Sequence, residues 1–250
     1  MYVDASSLQC KGTIILSPHA DDAALSLGGI LCKRMLEEPI TLVTIFGRSN
    51  YLRESAFQSN WEIVTATRKY EDFAFTNSLG IKLRYLDFPE ASLRLGSSFD
   101  KIFSKKIHTE DQFPPDLVMI IREIIDNERP KFLFVPLGLG LHRDHLIVNR
   151  LSRELASHGA PIVIYYEDLP YAAHVSENEI LQHVLSVCPT LTPVYVPIDH
   201  ELSGKVTNLM FYQSQIGEFE LGVVRYYAAH WKQSQPYERV WASDSFELLV

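Results

Sequence analysis

Two short runs, GTIILS at 12–17 and ITLVTIF at 40–46, carry no charged side chain and are rich in β-branched residues. A strand with one face in water alternates apolar and polar residues, whereas a strand that is apolar throughout is covered on both faces, as in a parallel sheet flanked by helices. The stretch between the two runs reads as a helix ending near Glu38 with Pro39 as its stop, so the three segments form a strand, helix, strand unit.

The alternation continues along the chain. A helix is expected from about Trp61 to Ser78, ending near Gly80, followed by the strand IKLRYLDF at 81–88. In PDLVMIIREIIDNERP (115–130), Leu117, Ile120, Ile121, Ile124 and Ile125 fall at helical spacing, and KFLFVPLG (131–138) reads as a buried strand. A helix from about Asp144 to His158 carries Ile147, Leu151 and Leu155 on one stripe and leads into the strand PIVIYY at 161–166. TPVYVPI (192–198) is expected at a sheet edge, since its prolines cannot donate to a ladder, and ELSGKVTNLMFYQSQI after it reads as a helix. The segment from about 90 to 114 has no clear period and is expected to be a surface excursion. The expectation is a single α/β domain over residues 1–250: a mostly parallel sheet with helices on both faces.

Composition narrows the function classes. With 23 basic against 31 acidic residues the formal charge is −8, which gives no general attraction to a phosphate backbone, so nucleic acid is excluded as a partner. Cys10, Cys32 and Cys188 form no CxxC pair, which argues against a disulfide framework and a cysteine-rich metal site. The start of the sequence lacks a basic stretch followed by an apolar core, and no apolar run approaches the spanning length of about 20 residues. A cytoplasmic protein with no membrane span is expected.

Chemistry is concentrated in two polar clusters. PHADD (18–22) follows the first strand and GLHRDH (140–145) follows the strand at 131–138 in the same sense, so both belong on the rim of the sheet where the carboxyl ends of parallel strands open a ligand crevice. Positions three apart face the same way in a turn entering a helix, so His19 and Asp22 can converge on one ion while Asp21 points elsewhere. His142 and His145 have the same spacing. A His/His/Asp set is the three-ligand arrangement of a catalytic zinc that keeps a position for water, although spacing alone leaves open which of His142 and His145 binds. Hydrolysis needs in addition a carboxylate base and an oxyanion donor, tasks for which Asp21 and a histidine remain. Asp144 can accept a hydrogen bond from one imidazole and set its tautomer. Gly28 and Gly29 would let the first helix pack close to the sheet.

These motifs resemble those of the PIG-L or LmbE-like zinc-dependent de-N-acetylases, whose mark is a [P/A]-H-x-D-D signature after the first strand of a Rossmann-like sheet plus a later HxxH. PHADD and HRDH match them, Arg68 and Glu71 resemble the family's Arg-x-x-Glu helix, and YYEDLPYA (165–172) resembles a later stretch in some branches. The resemblance implies His19, Asp22 and His145 as ligands of one Zn2+ per chain, Asp21 as general base, and His142 as oxyanion stabiliser or proton donor oriented by Asp144. The implied reaction is hydrolysis of the acetamide of an N-acetylated amino sugar, such as an N-acetylglucosamine derivative, or of a glycoconjugate. Two positions depart from the pattern: Ala23 stands where the signature commonly continues with Glu, and Gly140 stands where some members carry Tyr, so an extra oxyanion donor must come from elsewhere.

Arg48, on the loop after the second strand, is a candidate for a substrate hydroxyl or phosphate, and Glu167 and Asp168 are candidates to bind sugar hydroxyls or to hold a ligand histidine. His108, His158, His174, His183, His200 and His230 have no partner pattern and read as surface or packed residues. Two rival functions use the same features: a zinc-dependent hydratase or other amide hydrolase, and a sugar-binding module without catalysis. The absence of GxGxxG and GxxxxGK[ST] weakens a nucleotide version of the latter.

Overall fold

The structure, a computed structural model, describes residues 10–103, 114, 116–155, 161–230 and 235–243. The two apolar runs form β1 (Thr13–Ser17) and β2 (Ile40–Thr44), and every residue of both is buried. They pair in parallel from Thr13 against Ile40 to Ser17 against Thr44. The connecting helix α1 (Asp22–Lys33) is shorter than expected and stops at Arg34 in the left-handed region, well before Pro39.

Beyond this unit the chain forms a two-stranded hairpin, β3 (Tyr51–Leu52) and β4 (Ala56–Phe57), then α2 (Trp61–Leu79) and β5 (Lys82–Tyr85). The Asn60 side chain caps α2 by accepting from the Ile63 amide, and Gly80, at φ 71°, closes its other end in the left-handed conformation that glycine tolerates. Two short helices follow, α3 (Ala91–Leu95) and α4 (Phe99–Ile102), then α5 (Leu117–Glu128), β6 (Phe132–Pro136), α6 (Arg143–Leu155) and β7 (Ile162–Tyr166). The described chain ends with α7 (Glu177–Val187), β8 (Leu191–Pro197), α8 (Leu202–Leu209), α9 (Glu218–His230) and β9 (Tyr237–Ser243).

The seven-stranded sheet runs β5, β2, β1, β6, β7, β9, β8. The first five strands are parallel; β9 is antiparallel to β7, and β8 is antiparallel to β9 at the outer edge, where its prolines are expected. α1, α2 and α8 are in mutual contact and α9 packs on α8, while a second set packs α5 on α6, with α6 against β6. This is the α/β fold expected. No described helix is long and apolar enough to cross a membrane.

The structure refines several expectations. The segment from about 90 to 114, expected as a surface excursion, is described as far as Phe103, where it forms α3 and α4: Ala91, Ser92 and Ile102 are buried, while Gly96, Ser97, Phe99, Asp100 and Lys101 are exposed. Its remaining residues 104–113, like His108, His158 and the expected end of α6, lie outside the described residues. The helix expected over 201–216 ends at Leu209; the chain then turns so that Tyr212 is buried and its hydroxyl donates to Asp72. Gly29 does bring α1 close to the sheet, at β9, whereas Gly28 serves close approach to α8: a Cβ on Gly28 would overlap Lys205, and one on Gly29 would overlap Ile198 and crowd Glu238. The Glu238 carboxylate accepts from the Gly29 and Ile30 amides at 2.8 and 2.7 Å and pairs with Lys205 Nζ at 2.7 Å, all buried.

Candidate active site

β1 and β6 are neighbouring parallel strands, so their carboxyl ends open on one rim, and the residues after them meet there. After β1 the chain turns tightly: Ser17 Oγ donates to the His19 carbonyl at 2.6 Å and accepts from the Ala23 amide, while the His19 amide donates to Asp22 Oδ2 at 2.8 Å. After β6 a 3₁₀ turn at Leu139–Leu141 leads into α6. The ring of His19 lies 4.8 Å from that of His142 and 5.3 Å from that of His145, centroid to centroid.

Asp22 Oδ2 is the point of convergence, 3.1 Å from His19 Nδ1 and 3.2 Å from His145 Nε2. Each of these rings turns its other nitrogen to a carboxylate: His19 Nε2 to Asp144 Oδ2 at 2.9 Å and His145 Nδ1 to Asp168 Oδ1 at 2.6 Å. A carboxylate only accepts, so with a cation held between the rings the ring protons would sit on these outer nitrogens and the lone pairs would face inward. His145 Nε2 is buried with no hydrogen-bond partner, as expected of a ligand atom aimed at an ion. Burial opposes a charge on His19, yet Asp22 and Asp144 outweigh it and raise its pKa to about 9. Burial likewise opposes a charge on His145, but Asp22 and Asp168 raise its pKa to about 10. The surroundings therefore call for positive charge between these rings, which a divalent cation supplies as well as protons do. With two imidazole nitrogens and a carboxylate, the donor set fits zinc or a similar metal. His142 also has a ligand atom within 4.8 Å of those of His19 and His145.

The sequence-derived candidates separate into those that meet here and those that do not. Asp144, fully buried, accepts from His19, from the Ala91 amide at 2.8 Å and from Arg94 Nη2 at 2.7 Å. It therefore orients His19 rather than His142, because His142 Nδ1 is itself an acceptor, for the Asp144 amide at 3.2 Å. That bond leaves the other nitrogen of neutral His142 as a donor. Burial, reinforced by charge on His19, pushes the His142 pKa well below its ordinary value. Asp21 and His142 both line a cavity of about 250 Å³ over the cluster. Burial raises the Asp21 pKa against the pull of Arg68, whose Nη2 lies 3.5 Å from Asp21 Oδ1 and whose Nη1 is held by Ser49 Oγ at 2.8 Å.

Asp168 takes the second of the roles expected for it and holds a histidine, its other oxygen accepting from the Gly138 and Leu139 amides at 2.8 and 2.9 Å. Glu167 lies elsewhere. Its carboxylate is taken up by Tyr227, Arg239 and Trp241, and it does not line the cavity. Arg48 is also outside the cavity lining and donates to the Asp87 carbonyl at 2.6 Å. Glu71 binds the Ser214 amide and hydroxyl, fastening the loop after α8.

Residues that pattern reading did not single out complete the site. Tyr171 lines the cavity with its ring 5.3 Å from that of His145 and stacked on that of His142. Gly140, at φ 76°, explains its placement, since a Cβ there would overlap the Tyr171 side chain. The space a larger residue at 140 would take is filled from the β7 side of the rim. Tyr51, Phe57, Phe99 and Phe103 also line the cavity. Their aromatic character was visible in the sequence, but nothing local shows that the hairpin and α4 face the same opening.

Comparison with known proteins places these observations in context. A family model described as GlcNAc-PI de-N-acetylase, PIG-L, matches residues 14–156, which include both polar clusters. The 2'-N-acetylparomamine deacetylase of Streptomyces fradiae is 29% identical over 206 residues, covering 81% of this chain and 73% of that protein. The enzyme of the same name from Niallia circulans is 26% identical over 216 residues, covering 75% and 77%. A deacetylase solved in complex with teicoplanin, from the biosynthesis pathway of teicoplanin, superposes with a TM-score of 0.70 at 18% identity, covering 92% of this chain and 97% of that one.

Proposed function

Because the chain belongs to the PIG-L family of GlcNAc-PI de-N-acetylases, we propose that its cavity hydrolyses the acetamide of an N-acetylated amino sugar or glycoconjugate to acetate and a free amine. The observation that carries this reading is the convergence of His19, Asp22 and His145 beside a buried carboxylate, Asp21, that faces the same cavity. Both Streptomyces and Niallia relatives deacetylate an amino sugar, and that substrate class is assigned here.

In this reading His19 Nδ1, Asp22 and His145 Nε2 hold one zinc ion. When bound, the ion supplies Lewis acidity, lowering the pKa of water and polarising the acetyl carbonyl. The protein groups then divide the proton work. Asp21 takes the proton from the attacking water and passes it to the departing amine, so the carboxylate is restored at the end of the cycle. Arg68 keeps Asp21 turned to the cavity and favours its ionised form. The free nitrogen of His142 donates to the oxygen that gains charge as the carbonyl becomes tetrahedral. Asp144 and Asp168 fix the tautomers of His19 and His145 through their outer nitrogens.

The test is acetate release by zinc-loaded protein from a panel of N-acetylglucosamine derivatives, with Asp21→Asn beside it. Release that is lost in the variant while zinc stays bound supports the reading. Full activity in the variant would overturn the base assignment, and no release from any member would overturn the reaction class.

A further inference from the structure

The cavity has two unlike halves. Asp21, Asp22, His19 and His142 line its inner end. From His142 an aromatic series runs outward: Phe103 at 5.0 Å between ring centroids, Phe99 at 6.4 Å from Phe103, then Phe57 at 5.3 Å and Tyr51 at 6.4 Å from Phe99. Phe57 and Tyr51 close the group at 5.6 Å. These rings come from the β3–β4 hairpin and from α4 and the residue after it, so two separate excursions have been folded over one opening. Phe99, which lines this opening, is 54% exposed.

The facing wall carries polar side chains that are each engaged in part within the chain. The Gln215 amide donates to the Tyr51 carbonyl and to Ser214, Glu220 accepts from the Gly217 amide, and Arg53 pairs with Glu54. The aromatic rings are tilted to one another by 49–78° outside the Phe99–Phe103 step, which makes slots that accept a flat ring edge-to-face.

We propose that the outer half of the cavity is a subsite for an apolar, ring-bearing substituent at the anomeric position of the acetylated sugar, with Phe99 and Phe57 as its principal contacts. The proposal rests on the de-N-acetylase reading, because it orients the substrate by placing its acetamide at Asp21.

The experiment compares acetate release from the methyl and phenyl glycosides of N-acetylglucosamine by the zinc-loaded protein, as kcat and KM separately. The phenyl glycoside is expected to have a kcat/KM at least tenfold higher, expressed in KM, and Phe99→Ala is expected to bring that ratio to within about twofold of one. Phe57→Ala, whose ring lies on the other excursion, is expected to reduce the ratio independently, and thermal melting checks that both variants fold. Equal kcat/KM for the two glycosides, or a ratio unmoved by either variant, would overturn the subsite while leaving the de-N-acetylase reading intact. No acetate from either glycoside would overturn that reading, and the subsite with it.

Discussion

Replacing Asp168 by asparagine isolates the part of the site that holds His145 without touching a ligand. The carboxylate uses one oxygen for His145 Nδ1 at 2.6 Å and the other for the Gly138 and Leu139 amides at 2.8 and 2.9 Å, and it is fully buried. An asparagine has one oxygen for these three donors. With the oxygen on the amides, its NH2 group faces Nδ1 and drives the ring proton to Nε2, the atom that must offer a lone pair. With the oxygen on His145, its NH2 group opposes two buried N–H groups. Each buried group left unpaired costs about 1–3 kcal/mol, so the variant is expected to lose about 2–4 kcal/mol of stability, a fall in Tm of roughly 5–15 °C for a chain of this size. Zinc affinity is expected to drop about 10- to 100-fold, as for other changes that release a ligand imidazole from its carboxylate. Competition against a chelator of known affinity measures the second quantity and a thermal melt the first. Zinc affinity within twofold of the parent, with an unchanged Tm, would refute the claim that Asp168 sets the His145 tautomer.

Three further outcomes are expected. Asp21→Asn should reduce kcat about 10²- to 10⁴-fold with zinc binding retained, read from acetate release and metal content together. Gly140→Ala should lower Tm and cut activity at least tenfold, since φ 76° costs a non-glycine residue about 1–2 kcal/mol and its Cβ displaces Tyr171; unchanged melting would show that Tyr171 does not fill that space. Asp72 is buried and its pKa is raised to about 7 by that burial, against hydrogen bonds from Thr44 and Tyr212. An unfolded aspartate titrates near about 4, so between these values the folded chain carries a proton the unfolded chain lacks. Stability therefore falls as pH rises through this window, by about 4 kcal/mol at most, and Asp72→Asn should flatten the decline in melts taken at pH 5 and pH 8. Parallel pH dependence in variant and parent would refute it.

The parallel half of the fold was legible because β1, β2, β6 and β7 read as apolar runs and α5 and α6 carry periodic apolar stripes. α2 ends within a residue of where its pattern stops, and the polar clusters sit at the strand ends where doubly covered sheets place ligands. In the other half the proline-bearing edge strand β8 was legible, but β9 was hidden by buried charge: paired on both sides, it nevertheless reads YERVWAS, because Glu238 and Arg239 face inward to Lys205 and Glu167, partners 33 and 72 residues away. The same pairing explains why Glu167 looked like a site residue: a carboxylate after a strand has one appearance whether it faces a ligand or an arginine. α7 did carry a local signal, a capping box between Ser176 and Glu179. Within the site, spacing could group His19 with Asp22 and His142 with His145. It could not tell which imidazole Asp144 would meet, since that depends on how β1 and β6 align.

The position of β9 also orders events during synthesis. β7 and β8 lie on either side of a strand made after both, so as the ribosome emits the chain, β7 has an open hydrogen-bonding edge and β8 has no ladder to join until residues 237–243 emerge. The same late strand carries the Glu238 carboxylate that binds the middle of α1, the helix that begins at Asp22. Nascent chains halted before residue 237 are thus expected to expose β7 as a sticky edge and to hold the Asp22 helix loosely, so that the rim carrying the histidine cluster becomes rigid only after residues 237–243 have been made.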